Sequence, residues 1–473
     1  MFKALRKKIF FLAFIQSLFL QLGYAQVTDT SFTVDSIHIA GNRKTKDQII
    51  LRELSFNKGD TIHNWSYHQA QSRKQLINLF LFNEIALRKL GNTIHIDVTE
   101  RWYIWPIPEL DYADRNFNQW WLSKDPKRLI YGINLEWYNL MGRNQTLTLN
   151  LINGYTKMAG VNYKVPYINK KQTWGMQFVA QYSSNKEIWF KTANDKVQFF
   201  RDQDREMIRR SNAEISFTHR PKIFSYLSFY GGYRYWKVAD TVMKPQVNPY
   251  FLPFNKLGQI EFYTGLNFVF DKRDFKGFPL NGHLLKLNFE WADFPVAEFP
   301  SSNFKGKETK MFKLNYSFYK RLSNKFYISS NAIARLYSYS FPKYFKAQAL
   351  GYGKDYIRGY ELNVIDGSHF LLGKAEMKYR FLNRKYKFMP KLKNYEQLPL
   401  TLFLSTYFDM GYVVNNYLKL SGSTDQNVLP NTWQNGKGLG LNVVAFYDYC
   451  MRLEYSFDKY MNSRFYVSFV AAM

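Results

Sequence analysis

The sequence predicts a mainly β protein: about sixteen antiparallel strands forming a transmembrane barrel, preceded by one small β-α-α-β-β domain. Three observations predict it. The chain opens like an export signal. After that it holds no apolar stretch long enough for a spanning helix, yet 19% of its 473 residues are aromatic, with 36 Tyr and 42 Phe. From about residue 128 it breaks into short segments whose polarity alternates with period two. A soluble domain hides aromatic side chains in a core, whereas a barrel in lipid displays them outward and in girdles at both interfaces.

The leader comes first. Lys3, Arg6, Lys7 and Lys8 precede an apolar run from Ile9 to Leu22, and Gly23 and Ala25 supply the small residues a signal peptidase reads. Cleavage is expected before Gln26, removing residues 1–25. The run is short against the roughly 20 residues of a spanning helix, and Gln16-Ser17 interrupts it. No Cys near the cleavage point provides a lipoprotein anchor. The single Cys450 leaves no intramolecular disulfide, so a closed hydrogen-bond ladder has to hold the fold. The formal net charge is +28, or +24 without the four basic residues of the leader. For an exported chain that balance points to anionic lipid head groups, lipopolysaccharide phosphates or acidic client segments, and not to nucleic acid.

Residues 26–105 read as the small α/β domain. Phe32, Val34, Ile37 and Ile39 mark a strand ended by Gly41-Asn42. Thr45 is placed to cap a helix carrying Ile49, Ile50 and Leu54, and Gly59-Asp60 breaks the chain. A second helix over 66–81 has Ala70, Leu76, Ile77 and Phe80 as its apolar stripe. Strands at 84–90 and 93–99, joined by Gly91-Asn92, complete the domain. Pro106 and Pro108 stiffen the exit into the barrel domain, 106–473.

Barrel strands are expected at about 128–138, 144–155, 158–167, 172–184, 187–200, 208–220, 224–238, 258–270, 282–292, 309–321, 325–338, 369–382, 400–413, 436–446, 449–458 and 464–473. The alternation is clear in several. Leu147, Leu149 and Leu151 oppose Thr146, Thr148 and Asn150; Phe312, Leu314, Tyr316 and Phe318 oppose Lys313, Asn315 and Ser317. Met451, Leu453, Tyr455 and Phe457 likewise oppose Arg452, Glu454 and Ser456. One set suits lipid and the other a polar lumen. An even count, started from the periplasm, puts the short connections 221–223 and 322–324 on the periplasmic side. It puts the long ones, 239–257, 293–308, 339–368 and 414–435, outside.

Several stretches resemble the BamA/TamA superfamily of outer-membrane assembly proteins. Ile37-His38-Ile39-Ala40-Gly41-Asn42 with Thr45 resembles the opening of a POTRA domain, and Leu81-Phe82-Asn83-Glu84 with Ile96-Asp97-Val98-Thr99-Glu100-Arg101 resembles its closing strands. One such unit fits here, where BamA carries several. Gly351-Tyr352-Gly353 followed by Ile357-Arg358-Gly359-Tyr360-Glu361 resembles the superfamily's R-G-F/Y loop, and Tyr407-Phe408-Asp409-Met410-Gly411 its partner strand motif. The resemblance implies that this loop folds into the lumen and that Arg358 meets Asp409, a bidentate pair that fixes orientation as well as charge. The site is then Arg358, Gly359 and Tyr360 with Asp409 and Gly411. Asp271-Lys272-Arg273-Asp274 with Pro279-Leu280-Asn281-Gly282 resembles a periplasmic turn of the family. Phe465, Val467, Phe469, Ala471 and Met473 fit its closing strand, although relatives usually end in an aromatic residue.

The function so implied is assembly or insertion of outer-membrane proteins, with the barrel in the bacterial outer membrane and the POTRA domain in the periplasm. The first and last strands would pair weakly, part sideways and template a client strand, while the POTRA edge takes client segments by β-augmentation. On these boundaries the seam joins the 128–138 strand, with Ile133, to the last strand, with Phe465, Val467 and Phe469. The alternative is a pore of the two-partner-secretion kind that passes one unfolded polypeptide through the lumen. Expected partners are outer-membrane lipid and lipopolysaccharide, unfolded outer-membrane clients, and periplasmic or lipoprotein accessory subunits. Enzyme chemistry finds no motif: there is no G-x-S-x-G, H-E-x-x-H or P-loop pattern. Gly436-Lys437-Gly438-Leu439-Gly440 opens a strand, and His63 and His68 lack companions at ligand spacing, so neither cofactor nor metal is expected.

Overall fold

A computed structural model describes residues 31–473 except 113–123, 125, 203, 250, 253–256, 293–307, 339–343, 388–396, 416–425, 446–448 and 472–473. The expected leader, residues 1–25, lies outside the described residues.

The N-terminal unit contains β1 (Phe32–Thr33), β2 (Ser36–Ala40), α1 (Asp47–Leu51), β3 (Thr61–Ile62), α2 (Trp65–Ile77), β4 (Phe82–Leu90) and β5 (Thr93–Glu100). β5 is central, parallel to β2 and antiparallel to β4, while β1 and β3 form a separate pair. Alternate residues of β5 (Ile94, Ile96 and Val98) face a core with Ile49, Ile50 and Leu76. Asn64 caps α2 by accepting a hydrogen bond from the Tyr67 N–H at 2.9 Å. Two local expectations are corrected. Thr45 does not cap α1, which has no side-chain cap; its hydroxyl goes to Glu100 at 2.6 Å instead. Ala70 is exposed, so the buried face of α2 is Ser72, Gln75 and Leu76.

Sixteen antiparallel strands form one continuous sheet. In chain order they begin with β6 (Ile104–Tyr112), β7 (Leu129–Leu140), β8 (Gln145–Gly154), β9 (Thr156–Val165) and β10 (Trp174–Asn185). A hairpin of β11 (Glu187–Ala193) and β12 (Lys196–Arg201) stands apart from the sheet. The sheet resumes with β13 (Ile208–Lys222), β14 (Ser225–Val238), β15 (Gly258–Asp271), β16 (Gly282–Ala292), β17 (Thr309–Arg321) and β18 (Phe326–Tyr337). A second small pair, β19 (Gln348–Leu350) and β20 (Ile365–Asp366), lies in the following loop. The sheet ends with β21 (His369–Lys387), β22 (Gln397–Val414), β23 (Gln434–Ala445), β24 (Tyr449–Phe457) and β25 (Ser463–Ala471).

The number sixteen agrees with the expectation, but through two differences that offset each other. The segment expected as a strand at 187–200 is the detached hairpin, turned at Asn194-Asp195, both with positive φ (52° and 56°). The sheet instead begins at Ile104, in the stretch expected to be a stiff linker. Proline is tolerated at a sheet edge where its missing N–H faces no neighbour, which is how Pro106 and Pro108 fit. The consequence is a reversal of direction for β7 to β10. The connection 141–144, expected outside, contacts the N-terminal unit; from β13 onward the expected directions hold.

The pleat separates two environments. Phe178, Phe217, Phe229, Phe408 and Leu439 are exposed on the outer face. The inner face is polar, with Asn288 donating to Asn267 at 2.6 Å and Asn331 to Asn315 at 2.8 Å across neighbouring strands. An apolar exterior around a polar interior is the pattern of a barrel solvated by lipid.

Candidate functional site: the loop lock and the barrel seam

Arg358 lies in the long loop between β18 and β21, and local glycines permit its path. Gly351 and Gly359 have φ of +88° and +97°, where a side chain is strained. Tyr360 and Asn363 continue the turn through backbone hydrogen bonds to Ile357 and Tyr360 carbonyls, at 3.1 and 2.9 Å. The loop settles onto strands with glycine at the contact points. A Cβ on Gly436 would come 1.7 Å from the Arg358 carbonyl, and one on Gly411 2.7 Å from Ile357 Cδ1. Ile357, Tyr360 and Leu350 then pack with Phe370, Leu372 and Val413 of the barrel wall.

This brings Arg358 to Asp409 by three hydrogen bonds: Nε to Oδ2 at 2.9 Å, Nη2 to Oδ1 at 2.6 Å, and backbone N–H to Oδ2 at 3.1 Å. Arg358 is 4% exposed and Asp409 0%. The guanidinium also lies 3.8 Å from the centre of the Tyr407 ring, and its Nη1 is 3.6 Å from Glu376 and 3.5 Å from Glu454. Lys374 approaches Asp409 at 3.8 Å and Lys378 approaches Glu376 at 3.4 Å. Tyr360 donates to Gln434 at 3.0 Å and accepts from the Lys459 N–H at 3.1 Å, tying the loop to the turn before β25. Gly359 donates to Glu361 at 2.9 Å. Sequence reasoning missed Glu376 and Lys374, and gave no role in the site to Tyr407, named within the strand motif, or to Glu454, placed on a lumen face; the i, i+2, i+4 spacing of Lys374, Glu376 and Lys378 was the available signal for three charges on one lumen face.

At each end of the barrel, segments outside the sheet rest on strand turns or loops. At one end the N-terminal unit rests on the barrel turns. Arg220 donates to Glu53 at 2.9 Å, and Tyr167 donates to the same carboxylate at 3.1 Å. Arg52 donates to the Gln172 carbonyl at 2.8 Å and the Lys46 N–H to Gly142 at 2.9 Å. At the other end the β11–β12 hairpin meets the long loops. Asp195 accepts from the Val428 and Leu429 N–H groups, each at 3.2 Å, and its carbonyl accepts from Val364 at 2.9 Å. Ile188, Phe251, Leu252 and Tyr344 pack beneath them. Burial raises the Asp195 carboxyl above its ordinary range, and raises that of Asp366, bonded by the Tyr352 hydroxyl, to about 6.

The seam is not where the sequence placed it. Ile133 lies on β7, the second strand, paired with Pro108 on one side and Leu151 on the other. The edge strands are β6 and β25, and among the described residues no backbone pairing joins them. Phe465 and Val467 lie on β25 as expected, and Phe469 pairs there with Met451; the side chain of Phe469 is outside what is described.

A model of the Omp85 superfamily domain matches residues 139–445. No curated protein matches the chain. Among solved structures, BamA from Haemophilus ducreyi lacking POTRA domains 1–3 is similar at 15% identity and TM-score 0.51, covering 93% of this chain and 84% of its own. CdiB from Escherichia coli is similar at 11% identity and TM-score 0.54, covering 93% and 75%. CdiB from Acinetobacter baumannii is similar at 11% identity and TM-score 0.50, covering 93% and 73%. At these identities the likeness is one of fold.

Proposed function

Because this chain belongs to the Omp85 superfamily, we propose that it inserts β-barrel clients into the outer membrane by parting the seam between β6 and β25. The observation that carries this reading is the unpaired side of the sheet, among the described residues, beside an N-terminal unit docked on the barrel turns. The N-terminal unit docks on the barrel turns through Glu53 and Arg220, and the β11–β12 hairpin binds the outer loops through Asp195. The sheet meanwhile runs from β6 to β25 without a backbone ladder between them among the described residues. Lateral insertion needs the β6–β25 side to part, and there no ladder has to be broken among the described residues. In this reading the N-terminal unit is the periplasmic POTRA domain that receives clients, and the Arg358–Asp409 pair holds the loop that braces the wall beside β25.

The test is a staple across the seam. With Cys450 replaced by Ala, Ile107→Cys is combined with a cysteine scanned through Arg464, Tyr466 and Ser468. The oxidised staple is expected to stop insertion of a urea-denatured barrel protein into liposomes containing this chain, and reductant to restore it. Full insertion with the staple formed overturns the lateral reading. Unimpaired export of a soluble polypeptide through stapled barrels would favour the two-partner-secretion alternative.

A further inference from the structure

The hairpin of β21 and β22 outruns its neighbours. Its strands are 19 and 18 residues long, against 9 to 15 for the other strands of the sheet. β18 pairs with β21 only as far as Tyr379, and β23 with β22 only as far as Leu400. β21 and β22 pair with each other down to Lys387 and Gln397. Arg380 still ties β21 to the β17–β18 turn: its N–H donates to the Lys325 carbonyl at 2.8 Å, and its Nη2 to the Asn324 carbonyl at 2.7 Å. By strand alternation this is the barrel end where the β13–β14 and β15–β16 turns meet the N-terminal unit, through Arg220 and Phe275. Beyond it residues 381–387 run on for roughly 20–25 Å, at about 3.4 Å each.

A β-bulge decides what this extension shows to each side. The register steps from Arg380↔Phe403 to Leu382↔Leu402, so Phe381 is the extra residue. Alternate residues of β22 keep one side, so Leu398, Leu400 and Leu402 share the lipid-facing side of Leu404 and Phe408, which are 52% and 47% exposed. Their cross-strand partners Tyr386, Arg384 and Leu382 join them there. Asn383, Lys385 and Lys387 take the other side, where Thr401 donates to Asn383 at 3.1 Å. Without the extra residue, Asn383 and Lys385 would stand on the leucine side instead.

The extension is also basic. Residues 380–399 hold Arg380, Arg384, Lys385, Lys387, Lys391 and Lys393 against Glu396 alone. Arg384, Lys385 and Lys387 are exposed, and none of them forms an ion pair among the described residues. Leucines left in water are unfavourable, and the continuity of this face with the lipid-facing wall makes lipid its nearest cover. Arg and Lys can lie along an apolar surface while their charged ends stay wet. We propose that the β21–β22 extension is a lipid anchor: its leucine face lies on the leaflet at the N-terminal unit's end of the barrel, and Arg384, flanked by Lys385 and Lys387, binds the phosphates of anionic phospholipid there. Each basic residue at an anionic surface is worth roughly a factor of five in binding. The anchor stands whether or not the seam parts.

The experiment uses the full chain in lipid nanodiscs, with Cys450→Ala and a bimane label on a single cysteine at Leu400 or Asn383. The discs contain the same minor share of brominated phosphatidylglycerol or brominated phosphatidylcholine, and iodide is the aqueous quencher. The label at 400 is expected to be quenched by brominated lipid and shielded from iodide, and the label at 383 the reverse. Quenching at 400 should favour brominated phosphatidylglycerol about fivefold or more. Replacing Arg384, Lys385 and Lys387 together by Gln should bring that preference close to one. Deletion of Phe381 is expected to carry the label at 383 to the lipid side, so that it gains quenching by brominated lipid. Heat-modifiable gel mobility checks that each variant is folded. Iodide quenching at both positions with none by brominated lipid overturns the anchor, and leaves the leucine face to a protein partner. Equal quenching by the two brominated lipids overturns the phosphate contact.

Discussion

Replacing Arg358 by alanine removes a guanidinium that is 4% exposed and strands Asp409, which is 0% exposed. The nearest remaining cation to Asp409 is Lys374, at 3.8 Å. Breaking a buried pair on one side costs about 3–5 kcal/mol, less where lumen water reaches the site. The reverse change, Asp409→Ala, leaves Arg358 with Glu376 at 3.6 Å and Glu454 at 3.5 Å, so it is expected to cost less than Arg358→Ala. The double mutant removes both charges together. Its cost is expected to fall short of the sum of the singles by about 0.5–3 kcal/mol, the range for residues in contact. The assay is urea unfolding in detergent micelles, followed by the loss of the heat-modifiable gel band. Strict additivity, or a larger loss for Asp409→Ala than for Arg358→Ala, would refute the reasoning.

Gly436→Ala is expected to unseat the same loop, since its Cβ would come 1.7 Å from the Arg358 carbonyl; protease cleavage between residues 351 and 366 should rise while the sheet stays heat-modifiable. Arg220→Ala leaves Glu53, 1% exposed, without its guanidinium, and is expected to free the N-terminal unit from the barrel turns. Limited proteolysis after Glu100 would report that release. The contact between the β11–β12 hairpin and the β19–β20 loop should depend on pH. Burial raises the Asp366 carboxyl from its ordinary value to about 6, so folding favours its protonated form. That contribution is fully present below about pH 4 and lost as pH rises through about 6. Protection factors across 348–366, with the intrinsic pH dependence of exchange divided out, should therefore be higher at pH 4.5 than at pH 7.5, and Asp366→Asn should flatten the difference.

The loop and its partner were legible because their signals are local. Arg358-Gly359-Tyr360 and Tyr407-Phe408-Asp409 are short motifs, and the structure brings the two charged ends together at 2.6 Å. The socket glycine Gly436 and the flanking Glu376 and Glu454 were not legible, because their role depends on which strands lie beside one another. The Glu53–Arg220 pair was harder still. Its members are 167 residues apart, and 65 basic and 37 acidic residues offer too many candidate pairs for charge alone to choose.

Period-two alternation, read with the export-type leader and the aromatic load, determined the fold class, and it assigned a lipid and a lumen side along most strands because the side chains of a strand alternate whatever its neighbours are. It did not determine where the sheet begins. Alternation drew 187–200 into the barrel, although Asn194-Asp195 folds it back on itself, and two prolines kept 104–112 out of it. Whether a proline breaks a strand depends on which side its missing N–H faces, and that depends on the neighbouring strand. Tertiary structure alone decided this. Tyr103 and Tyr138 set the register that turns Pro106 and Pro108 toward the seam, moving the first strand from 128–138 to Ile104–Tyr112 and the seam with it.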